Sequence, residues 1–148
     1  MNQSLKPVGV YFNKVAHKRV YLLLLFVFAL FFGLWDINAE RGYSDESVYA
    51  GMGKVYFRHF FAIGSQFWEM GHEHPPIAKY LFGMASWLYP YGHYLGARIL
   101  CSLMGAFSCL LIVLIAELLL DFQTGLTAGF ILSLLPYFIA HNRICGLE

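Results

Sequence analysis

The sequence predicts an all-α integral membrane protein with about three transmembrane helices and an outer loop that carries amphipathic juxtamembrane helices. Three observations lead there. Hydrophobic residues make up 59% of the 148-residue chain and charged residues 13%, with a mean hydropathy of +0.57; soluble domains carry a charged fraction of about a quarter. The apolar residues fall in long runs at 20–35, 99–120 and 125–140, near the length that crosses a ~30 Å hydrocarbon core. Between the first two runs lies a polar island, Gly42 to Gly51 and Gly71 to Lys79, holding Asp45, Glu46, His72, Glu73, His74 and Lys79. Ionisable side chains beside a bilayer are costly, so the island is the candidate functional site.

Charge excludes other classes. The formal net charge is +1 and no basic run exceeds Lys18-Arg19, which leaves no footprint for nucleic acid. Gly51 and Gly53 do not follow a strand, so a nucleotide-binding glycine loop has no support. Cys101, Cys109 and Cys145 lie in or against apolar runs and read as small buried residues.

Taken in order, residues 1–19 form an N-terminal tail with Lys6, Lys14, Lys18 and Arg19. The positive-inside rule places this tail in the cytoplasm and residues 36–97 outside a plasma membrane or in the lumen of the endoplasmic reticulum. Val20 to Trp35 is 16 residues long, about 24 Å of helix, with Lys18 and Arg19 snorkelling at one end and Trp35 at the headgroups of the other. A cleaved signal peptide is the competing reading, but Phe31 to Asn38 offers no small-x-small cleavage site. Ser44 is a good N-cap. Val48, Met52, Val55, Tyr56, Phe60 and Ile63 then recur at helical spacing, giving an amphipathic helix of about four turns lying flat on the membrane. Ile77 to Tyr91, at 15 residues, reads as interfacial or re-entrant; if it crosses, everything after it inverts. Residues 99–120 form the second span, with Glu117 near enough to the 120–124 loop to reach the interface. Residues 125–140 return as the third span, kinked at Pro136, and 141–148 open a second outer loop.

In the island, Asp45 and Glu46 occupy the first turn of the amphipathic helix, where acids complement the macrodipole. The same place suits a base that takes a proton from an incoming hydroxyl. Lys54 and Arg58 are one turn apart, positioned either to rest on anionic headgroups or to clamp a lipid-linked phosphate. His72 and His74, two apart, could supply half of a metal site only if a third ligand came from elsewhere, Asp45 or Glu46 being the candidates, and no recognised zinc spacing is present. No cofactor is firmly implied; a divalent metal is the alternative. Pro75-Pro76 suits a helix start that presents Lys79 beside the positive dipole end, where an anion fits.

These residues resemble the start of the GT-C superfamily of glycosyltransferases, above all the dolichyl-phosphate-mannose protein mannosyltransferases and the aminoarabinose transferases of lipid A. The likeness rests on one helix, then Ser44-Asp-Glu-Ser-Val-Tyr49, His74-Pro-Pro-Ile-Ala-Lys79, Ala97-Arg98 and Asn142-Arg-Ile-Cys-Gly-Leu-Glu148. It implies inverting transfer of a sugar from a polyprenyl-phosphate-linked donor to an acceptor hydroxyl, protein or lipid. Asp45 would be the base, Glu46 its neighbour in acceptor or site organisation, and Glu148, where the family has Asp, a second acid. His74 and Lys79 would face the donor phosphate, with Lys54, Arg58 and Arg143 as further substrate-binding cations. The family has many more spans, so the chain is expected to be a fragment whose missing C-terminal portion or partner subunit completes the donor groove. The alternatives are a small membrane scaffold or accessory subunit, or a metal-dependent hydrolase using His72 and His74.

Overall fold

The computed structural model describes residues 8–38, 44–59, 76–88 and 94–145, and among them the regular structure is all helical. The first helix, α1, is Val8–Leu34, 27 residues. It begins well before the apolar run because residues 8–19 contain no proline, and extending a nucleated helix costs little. Helix α2 is Ser44–Arg58 and α3 is Pro76–Leu88. Helix α4, Leu95–Leu119, starts one turn before the expected span and so takes in Arg98. Among the described residues two helices are long and apolar enough to cross a membrane, His17–Leu34 within α1 and Leu95–Leu119. At 13 residues α3 is too short, about 20 Å.

The third apolar run is two helices rather than one gently kinked span. Helix α5 is Phe122–Leu134 and α6 is Pro136–Asn142, bent by 68° at the break. Pro136 pushes the residue before it out of the helical region. Leu135 accordingly sits at φ −66°, ψ 121°, and Pro136 starts α6, where its missing N–H is not needed. The bent pair counts as one candidate span, a third. The turn into α5 is sharp because Asp121 caps it, accepting from Gln123 N (2.8 Å) and Thr124 N (2.9 Å). The Thr124 bonds hold its carboxyl below the usual carboxylate value.

Helices α1, α4 and α5 share a core of Leu25, Ala29, Ala106, Cys109 and Val113. Close approach is possible because small residues sit at the crossings: a Cβ on Gly125 would lie 2.6 Å from Val113 O, and one on Gly129 2.8 Å from the Val113 side chain. Helices in lipid associate through such small-residue contacts. The outward faces carry Leu23, Leu24, Val27, Phe31, Leu111, Ile115, Leu118 and Leu119, each more than half exposed. At the start of the apolar stretch of α1, Lys18 is paired with Glu117 near the end of α4.

Helix α2 does not offer a bare apolar face. Tyr49, Ala50 and Tyr56 are buried, and the helix packs on α3 so tightly that a Cβ on Gly83 would lie 2.0 Å from Gly53 O. Helix α3 in turn meets α4, where a Cβ on Gly96 would lie 2.3 Å from Ala85 O. Of the expected stripe, Tyr56 is buried, Met52 and Val55 are half-buried and Val48 is exposed; the buried face runs through Tyr49, Ala50, Gly53 and Tyr56 instead. Phe60 and Ile63, at the end of the expected helix, lie outside the described residues.

Candidate functional site

The C-terminal end of α1 leaves carbonyls without intrahelical donors. The chain turns away through 35–38, with Asp36 at φ 51°, and side chains from other elements supply the donors. Arg98 Nη1 donates to Ile37 O at 2.7 Å. Arg143 Nη2 donates to Asp36 O at 2.9 Å and to Trp35 O. One turn deeper on α4, the Ser102 hydroxyl lies 2.9 Å from Asn142 O and 3.0 Å from Gly33 O. Two guanidinium groups therefore cover the negative end of the α1 dipole, the favourable place for cations.

Arg98 is also in the first turn of α4, where the dipole disfavours a cation, and it is 4% exposed. Its counter-charge is Glu46, 1% exposed in the first turn of α2. The pair is bidentate: Arg98 Nε to Oε1 at 2.8 Å and Nη2 to Oε2 at 2.6 Å. The backbone N–H of Cys145 donates to Oε1 at 2.8 Å. One carboxylate thus joins α2, α4 and the segment after α6, while its arginine ties in the turn after α1. Such forked geometry is the strong form of an ion pair. Beside it the buried Cys145 thiol is held protonated, first by its hydrogen bond with Cys101, then by burial, and is pushed far above the usual thiol value.

Helices α2 and α3 hold Lys54, Arg58 and Lys79. Lys79 is buried, with Nζ 5.3 Å from the centre of the Tyr56 ring. Tyr56 meets Tyr80 edge-on at 5.6 Å. Burial, and secondarily Tyr80, raises the Tyr56 phenol above its usual value. Lys54 and Arg58 instead line an open cleft of about 150 Å³ with Phe57, Gly83, Ser86 and Trp87.

The sequence-predicted residues thus separate into distinct places. Glu46 is at the buried node, and its carboxylate is fully engaged. Arg143 is beside it, on the α1 carbonyls. Lys79 is inside the α2–α3 interface, and Lys54 and Arg58 are at the cleft. The backbone of Asp45 lies in the first turn of α2, next to Glu46, and its side chain is outside the described residues. His72, His74 and Glu148 are outside them too, so the metal alternative falls where the structure describes nothing. Among the described residues no group of three or more His, Cys, Asp or Glu could hold a metal. The partner that residue-level reasoning assigned no part is Arg98; its signal was an arginine entering an apolar run, which reads equally as an interfacial residue.

Comparison of the chain with protein-family models, curated proteins and solved structures gives no match.

Proposed function

We propose that the chain is the N-terminal, acid-bearing part of a membrane glycosyltransferase that moves a sugar from a polyprenyl-phosphate donor to an acceptor hydroxyl with inversion. The observation that carries this reading is the convergence at Glu46. Asp45-Glu46, Ala97-Arg98 and Arg143 to Cys145 are far apart in sequence, they are among the stretches that resemble the transferases, and they meet through Glu46, Arg98 and the Cys145 N–H. A node of that kind fixes the start of α2, and with it the backbone of Asp45, on three packed elements, as a positioned base requires.

The roles then divide. Glu46 organises, since both of its oxygens are occupied. Asp45 takes the proton of the acceptor hydroxyl as that oxygen attacks the anomeric carbon from the face opposite the phosphate. The bond from that carbon to the phosphate oxygen breaks, and polyprenyl phosphate leaves with the electron pair, its charge stabilised by nearby cations rather than by a proton.

A membrane setting agrees with the placement of charge. Glu46–Arg98 and Lys18–Glu117 mark opposite ends of α4, and Arg98 and Glu117 are about 28 Å apart along the helix at 1.5 Å per residue. That is close to the ~30 Å of a hydrocarbon core. The basic tail places the Lys18 end in the cytoplasm and the Glu46 node outside or in the lumen.

The test uses membranes that contain the complete polypeptide, supplied with a polyprenyl-phosphate-linked sugar and an acceptor. Asp45→Asn lowers transfer by about 10²- to 10⁴-fold with protein level unchanged, the usual range for losing a general base. Near-normal transfer by Asp45→Asn overturns the assignment.

A further inference from the structure

The cleft between α2 and α3 has features that the packing of the two helices does not use. Lys54 and Arg58 are one turn apart and both line it. Across from them on α3, Ser86 is 4% exposed and its hydroxyl has no hydrogen-bond partner, an arrangement that buried polar groups rarely keep unless something fills it. Among the described residues no acidic side chain lines the cleft. Trp87 stands at its edge, 66% exposed, with its ring 6.1 Å from that of Phe57.

We propose that this cleft binds the phosphate of an anionic membrane lipid. A phosphate oxyanion takes charge-assisted bonds from a guanidinium and an ammonium. It would also accept from the Ser86 hydroxyl, completing that group. Trp87 suits the boundary between headgroup and acyl chain, where tryptophan concentrates. Lipid is favoured over free phosphate because two cations and an exposed tryptophan share one small opening: the cations serve the headgroup and the indole serves what is attached to it. The inference does not rest on sugar transfer, since the same contacts would hold a bulk headgroup or a lipid-linked donor.

The experiment measures lipid retained by the full chain, purified in a zwitterionic detergent and offered phosphatidylglycerol or phosphatidylcholine, by native mass spectrometry. The chain retains phosphatidylglycerol in preference by about tenfold, a modest selectivity for two charge-assisted contacts. Lys54→Gln with Arg58→Gln abolishes the preference, Ser86→Ala weakens it, and Lys54→Arg keeps it. Arg58→Gln alone, an exposed change at the end of α2, weakens it. Arg19→Gln, exposed on α1, leaves it intact. Equal retention of the two lipids, or an undiminished preference in the double variant, overturns the proposal. An equal loss in Arg19→Gln also does so, by showing diffuse attraction to charge. Displacement of the lipid by millimolar inorganic phosphate would reassign the cleft to a free anion, whereas retention supports the lipid.

Discussion

Arg98 sits where an isolated cation is doubly unfavourable, buried and in the first turn of a helix. Its place depends on Glu46, and the converse holds for a carboxylate that is 1% exposed. Removing either partner alone, by Arg98→Ala or Glu46→Ala, is expected to destabilise the chain by about 3–5 kcal/mol, because a buried charge is left uncompensated. Replacing both with methionine should cost clearly less than the two single losses together, since no unpaired charge remains and the volume is roughly kept. Arg98→Lys should not rescue, because an ammonium cannot make the forked contact and reach Ile37 O as well. Denaturant unfolding in detergent micelles checks all four; additive single and double losses would show that the two side chains act independently. The sequence made the acid conspicuous and left its partner obscure. Glu46 stood in a polar island, but Arg98 is 52 positions away, and no local pattern links an acid in one helix start to an arginine in another.

At the scale of elements, the α2–α3 crossing is set by Gly53 and Gly83, whose backbones touch where a methyl group would collide. Gly83→Ala should therefore force the helices apart and lower stability by about 1–3 kcal/mol, the usual cost of overpacking. Gly51 lies in the same helix with nothing within 4 Å of its hypothetical Cβ. Gly51→Ala should raise stability by up to about 1 kcal/mol through helix propensity alone. Thermal unfolding of the two variants separates a packing role from a propensity effect; destabilisation of equal size in both would refute the assignment to packing. Run length located α1 and α4, and Pro136 marked the break after α5. Run length did not give the 68° bend, because proline restricts the preceding residue without deciding where the next helix packs. Nor did periodicity give the buried face of α2: it picked out Val48, which is exposed, and Met52 and Val55, which are half-buried, while Gly53, where α3 comes closest, has no side chain to register in any pattern.

For the whole molecule, the two charged pairs define its ends. The turn after α1, the start of α2, the start of α4 and Cys145 meet at the Glu46 node, whereas Lys18 and Glu117 meet at the opposite end of the α1–α4 pair. Because Cys145 follows α6 and bonds to Glu46, the bent pair α5–α6 must return the chain from the Glu117 end to the node. That path makes the bent pair a candidate third span. In the membrane arrangement proposed above, α4 crosses between them, so the turn at Gln123 and the exposed face of α2 at Val48 would lie on opposite sides. With Cys101, Cys109 and Cys145 changed to alanine, a single cysteine at Val48 should react with an impermeant maleimide from outside intact cells. A single cysteine at Gln123, exposed beside the Asp121 cap, should react only after the membrane is opened. Labelling of both from the same side would mean that α4 does not cross, and would remove the three-span arrangement; labelling of Val48 only after the membrane is opened would remove the outer placement of Asp45.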